Sequence, residues 1–224
     1  MPLSFLVLFT TLFVAALHFP ESYDWQRRVI SHLISPRHNP DGFLIPSLGM
    51  AFSALLVLPL GGYIGRRLWG ISRLLAQWVS GLLGAGIFLV VTVTLPLNVE
   101  SMPASVHWVH EALARLAAVG MVGGMICCCV GGLKDRFGGK QTLSPLMVTS
   151  WSALTLIPVI CGILAGILRL ARKADFEWAH QLRQLLRSTM VMQLAFWEWV
   201  GVVAFILFLV SSVLFLPPRV KTQE

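Results

Sequence analysis

Long apolar runs separated by short polar stretches dominate this chain, and they predict six membrane-crossing helices. The runs span about Leu3 to Phe19, Phe43 to Ile64, Leu74 to Leu97, Ser105 to Leu133, Leu146 to Leu170 and Met190 to Leu216. Each is close to or longer than the ~20 residues needed to cross a bilayer core. Pro217-Pro218 ends the last run, because proline cannot continue a helix. The expected fold is all-α: a polytopic integral membrane protein, one six-helix transmembrane bundle over residues 1–224. Val14-Ala15-Ala16 has the small-residue form of a cleavage site, but Met1-Pro2-Leu3-Ser4 carries no basic side chain. The first run is therefore read as a retained span and not a signal peptide.

Two connectors carry their own pattern. Between the first two spans, apolar residues recur at Trp25, Val29, Ile30, Leu33 and Ile34, a helical spacing. It predicts a short helix lying in the membrane interface, with Trp25 at headgroup level. Pro36 to Gly42 then reads as a turn, since residues preceding proline disfavour helix. The connector Arg169 to Arg187 mixes arginines with Phe176, Trp178 and Leu182. It reads either as an amphipathic interfacial segment or as a solvated extension of the sixth span.

Composition agrees with lipid as the solvent. Only 12% of the 224 residues are charged against 56% hydrophobic, and mean hydropathy is +0.77; a soluble domain carries about 25% charged residues. The net charge of +7 follows from loop arginines and lysines that orient the chain and meet anionic lipid, so the expected partners are membrane lipids and not nucleic acid. Of the four cysteines, Cys127, Cys128 and Cys129 are consecutive and Cys161 stands apart, without zinc-finger spacing. They read as small packing residues.

Basic residues set the orientation. Arg66, Arg67, Arg73, Lys134, Arg136, Lys140, Arg219 and Lys221 fall on one side. Arg27, Arg28, Arg37, Arg169, Arg172, Lys173, Arg183 and Arg187 fall on the other. The first set sits in shorter loops, where the positive-inside rule works best, which puts both termini in the cytoplasm. All six histidines (His18, His32, His38, His107, His110 and His180) then lie at the outward face, with most of the acidic residues.

The fourth span opens with His107-Trp108-Val109-His110-Glu111. Positions three and four apart share a helix face, so His107, His110 and Glu111 could bind a divalent metal, relay protons or form a plain polar cluster. They are also the candidate catalytic residues. The order is not the His-Glu-x-x-His of zinc peptidases. Arg115 lies about 15 Å into the span at 1.5 Å per residue, where a charge needs a partner. Glu198, at similar depth in the sixth span, is the expected partner, with Glu111 the local alternative. The candidate ligand-binding set is Asp24, Arg28, Ser31, His32, Asn39, Glu100, His107, His110, Glu111, Arg115 and Glu198. Glycines 81, 84 and 86 in the third span and 120, 123, 124, 131 and 132 in the fourth are expected to permit close helix packing.

Tyr23-Asp24, Arg28, Ile30-Ser31-x-Leu33, Asn39-Pro40 and the stretch Pro96…Glu100…His107/His110 resemble an uncharacterised family of bacterial six-helix membrane proteins with a Tyr-Asp…Ile-Ser-x-Leu first loop. Trp197-Glu198-Trp199 is similar to that family's aromatic-Glu pattern, and DRAM-type eukaryotic membrane proteins resemble the layout more distantly. His32 and Ile34 stand where the family's Ile-Ser-Glu-Leu-Gly has acidic and glycine residues. The resemblance implies the six-helix fold and a bacterial inner membrane, and carries no activity. Alkaline ceramidases and progestin-receptor-like hydrolases also gather Ser, Asp and His at a membrane face, but with seven helices and a late His-x-x-x-His that this chain lacks.

Three readings follow: a protein with an outward polar, His-rich cavity that binds or handles lipid headgroups; a metal- or His-assisted lipid hydrolase; and a small-molecule transporter.

Overall fold

The computed structural model describes residues 2–94, 104–139, 141–174, 176–186 and 194–216. Among these, helix is the only regular structure. The elements are α1 (Pro2–Leu17), α2 (Ile30–Leu33), α3 (Leu44–Val57), α4 (Pro59–Leu68), α5 (Arg73–Thr94), α6 (Ala104–Phe137), α7 (Pro145–Lys173), α8 (Glu177–Leu186) and α9 (Leu194–Phe215). In hydrocarbon every backbone N–H and C=O must find its partner internally, and the helix supplies that partner within the segment.

Among the described residues, four helical stretches are long and apolar enough to cross a membrane: Leu44–Leu68, Arg73–Thr94, Trp108–Phe137 and Ala195–Phe215. They mark the chain as a membrane protein. Pro2–Leu17 and Pro145–Ile160 are shorter apolar helices. Outward-facing Leu6, Phe13, Leu48, Leu116, Val119 and Leu214 are each more than half exposed. A soluble surface does not tolerate so much apolar area.

The expected second span divides at Leu58 into α3 and α4, because Pro59 has no N–H to bond one turn back and instead starts a new helix at its first position. The helix expected over Trp25 to Ile34 shrinks to Ile30–Leu33. Side chains take over the backbone partners it would need. The Asp24 carboxylate accepts the Gln26 N–H at 2.9 Å. The Tyr23 hydroxyl donates toward the carbonyls of Arg28 (3.0 Å) and Val29 (2.9 Å). The Arg169–Arg187 connector contains a separate helix, α8, on which Trp178 stays exposed beside Phe176.

The long helices follow one another around a ring: α1 packs on α3, α3 on α5, α5 on α6, α6 on α7 and α7 on α9. Little α2 touches both α9 and α1 and closes the circle. The α5–α6 contact is the most extensive and rests on glycine. A methyl group on Gly86 would lie 2.7 Å from the Met121 nitrogen and 2.9 Å from the Ala117 oxygen; one on Gly120 would lie 3.0 Å from the Gly86 Cα. Gly81 and Gly84, expected to serve the same contact, face open space.

Two hydrophobic clusters fill the ring at its ends. The larger, around Ile64, Leu68, Leu83, Met147, Trp151 and Phe208, occupies the end near the α6–α7 turn. Trp151 Nε1 donates to Ser212 Oγ at 3.0 Å and ties α7 to α9. The smaller cluster, Leu12, Ala15, Phe19, Tyr23, Ile30 and Leu33, lies beneath α2. Between them the ring is hollow.

Candidate functional site

The hollow is a cavity of ≈ 340 Å³. Its wall is built from one stripe per helix: Leu8 and Leu12 of α1, Met50, Ser53, Ala54 and Val57 of α3, Ile87 and Val90 of α5, Ala118, Met121, Val122 and Met125 of α6, Pro158 of α7, and Glu198, Gly201, Val202, Phe205 and Leu209 of α9. The three- and four-residue steps in each stripe are helical periodicity turned toward one interior. Gly201 leaves open space where a side chain would stand.

Glu198 is the one charged side chain on the wall among the described residues. Its carboxylate accepts the backbone N–H of Ile30 at 2.7 Å and is also hydrogen-bonded by the Ser31 backbone. These are the first amides of α2, which have no partner inside that helix. Glu198 thus caps α2 and fixes it over the α1–α9 end of the cavity. The sequence expectation paired Glu198 with Arg115 instead. Arg115 lies on an exposed stretch of α6, and α6 packs on α5 and α7 with no extended contact to α9. The capping partner is 168 residues away in the chain, which no local spacing reveals.

Around this cap stands an aromatic chain. Phe19 meets Tyr23 with ring centres 5.3 Å apart, Tyr23 meets Trp25 at 4.8 Å, and Trp25 meets Trp199 at 5.3 Å. Burial first, with the Glu198 carboxylate second, raises the Tyr23 phenol well above its ordinary pKa, so it remains a donor. Trp25, Gln26, Phe196 and Trp199 line a shallow groove with Phe9, between α1 and α9.

The other residues expected at the site have separate tasks. Arg28 pairs with Glu21 and lies over the Phe19 ring at 4.8 Å. Asp24 faces solvent and meets Arg27 at 3.7 Å, an exposed pair that contributes little. The Ser31 residue is exposed, so its backbone and not its hydroxyl serves the cavity end. Asn39 is fully buried; its amide donates to the Leu33 carbonyl at 3.1 Å and the Ala15 carbonyl at 3.4 Å, locking the turn onto α1 and α2. His32 and His38 stack at 4.1 Å, and burial, then His38, then Arg28 lower the His32 pKa.

His110 is half-buried near the opening of α6, a helix that packs on α5 and α7 while α2 packs on α1 and α9. The backbones of His107 and Glu111 belong to α6, but their side chains, and all of Glu100, lie outside the described residues. Among the described residues no three His, Cys, Asp or Glu side chains converge as metal ligands. Sequence reasoning missed Ser53 and Gly201, which show no signal until the helix faces are known. No protein-family model, curated protein or solved structure matches the chain.

Proposed function

We propose that this chain is a six-span integral membrane protein that binds and handles a membrane amphiphile inside its ring of helices. The observation that carries this reading is the apolar cavity, walled by six apolar helices and closed by α2 on Glu198. A pocket lined this heavily with apolar groups and few polar ones suits a ligand that is mostly hydrocarbon. Entry from the side fits the groove between α1 and α9, where the two helices do not pack along their length and aromatic rings stand at the head end.

The test is occupancy. The purified protein, taken from membranes in mild detergent, is expected to retain amphiphile in native mass spectrometry. Gly201→Phe, whose Cβ would meet no atom within 4 Å, is expected to melt like the parent and to lose that mass. Equal retention by both forms would refute binding in the cavity.

Pro2–Leu17 and Pro145–Ile160 count as the two further spans, because they complete the ring. With the termini and the α6–α7 turn in the cytoplasm, α2 and the amphipathic α8 lie at the outer interface. In a background without cysteine, Phe137→Cys is expected to react with a membrane-impermeant thiol reagent only after the membrane is opened, and Arg37→Cys in intact cells. The reverse pattern would invert the topology.

A further inference from the structure

Three polar side chains, Ser4, Ser53 and Glu198, interrupt the apolar wall among the described residues, and the last two bear on what the cavity takes. The first is Glu198. A carboxylate has about four lone-pair positions, and the backbone of Ile30 and Ser31 leaves some of them free. No cationic side chain lines the cavity among the described residues. An anionic head would therefore meet a carboxylate with nothing to neutralise it. A head that donates a hydrogen bond would complete it.

The second is Ser53. In an apolar setting a helical hydroxyl ordinarily donates to the carbonyl one turn back. Thr11 does so to Val7 at 2.8 Å, Ser47 to Phe43 at 2.7 Å and Ser212 to Phe208 at 2.7 Å. Ser53 does not. It is 6% exposed, lines the cavity, and its Oγ has no partner among the described residues. A buried hydroxyl without a partner is unfavourable, so Ser53 marks a polar position on the wall that a ligand can also use.

Shape narrows the class further. Glu198 and Leu209 are eleven residues apart on α9 and both line the cavity, a run of about 16 Å at 1.5 Å per residue. The volume of ≈ 340 Å³ is near the lower end of ligand pockets, which run from about 300 to 1,000 Å³. A long, narrow space of that size takes one chain and not a whole two-chain lipid.

We propose that the cavity selects a single-chain amphiphile whose head is a hydrogen-bond donor and is not anionic, a hydroxyl or an ammonium seated on Glu198, with the chain running down α9. This deepens the amphiphile-binding reading and rests on it.

The full-length protein in phosphatidylcholine nanodiscs is titrated with dodecylamine, dodecanol and dodecanoate, following occupancy by native mass spectrometry. The amine or the alcohol is expected to bind at least tenfold more tightly than the acid. Amine above alcohol assigns the ammonium; parity assigns the shared donor. Glu198→Gln keeps an acceptor for α2 but removes the charge, and is expected to bring dodecanoate to within about threefold of dodecanol. Ser53→Ala is expected to leave the order of the three heads unchanged. Dodecanoate binding as well as the others, or a preference that survives Glu198→Gln, would overturn the head-group assignment while leaving amphiphile binding intact. No binding by any of the three, with Gly201→Phe indistinguishable from the parent, would overturn the underlying reading as well.

Discussion

Gly120→Leu is expected to disrupt the α5–α6 contact and to produce a large loss of stability. A side chain at Gly120 points at the Gly86 Cα and the Leu82 oxygen, both 3.0 Å from where its Cβ would stand. Those atoms are backbone, so no rotamer change relieves the clash, and the helices must separate. Overpacking a core costs about 1–3 kcal/mol where side chains can shift, and backbone on both sides puts this case at or above the upper end. In a membrane the loss is not softened by hydrophobic re-collapse, since close backbone approach is itself a main source of helix association. Gly81→Leu is the control: its Cβ meets nothing, and a better helix former replaces glycine. Thermal unfolding in detergent should show a large drop for the first and little change for the second. Equal melting temperatures would show that the Gly86–Gly120 approach does not hold the pair together.

Glu198→Ala is expected to free α2. The substitution removes the acceptor of the Ile30 N–H and the hydrogen bond to the Ser31 backbone. A hydrogen bond to a charged group contributes about 1.5–3 kcal/mol. The loss should be local, because α2 has four residues and touches only α1 and α9 extensively. Hydrogen exchange should therefore quicken at the amides of Ile30 and Ser31 while α5 and α6 stay protected. Glu198→Gln retains a carbonyl acceptor and should lie between the two. The same assignment fixes a double-mutant cycle. Arg115→Met and Glu198→Gln should lower stability additively, because the carboxylate serves α2 and not the arginine. Coupling between them beyond about 0.5 kcal/mol would restore the direct pair.

The contrast between these two substitutions shows what kind of information each feature carries. Helix positions are local. The apolar runs locate α1, α5, α6, α7 and α9 to within a few residues wherever their ends are described, because lipid leaves the backbone no partner outside its own segment. The broken second span was equally available from Pro59, whose missing N–H acts within one turn. The interfacial helix between α1 and α3 was not. Its spacing is helical, but Tyr23 and Asp24 bind backbone that a longer helix would have used.

Helix faces are different. In a soluble protein the apolar stripe identifies the buried side. Here lipid is as apolar as the interior, so the stripe carries no such mark. That is why Gly86 and Gly120 could not be told from Gly81, which faces open space, and why no pattern singled out Ser53 or Gly201 as cavity wall. For Glu198 the sequence was enough to say that a charge at that depth needs a partner. It could not say that the partner was the backbone of α2 and not a cation, since that depends on α9 and α2 meeting across 168 residues. The chain by itself therefore determined an all-helical membrane protein and flagged Glu198. Tertiary structure alone decided which faces meet, that the ring they form is hollow, and that its one polar end is capped by a carboxylate, because packing between apolar surfaces in an apolar solvent is set by shape and leaves no signature in hydrophobicity.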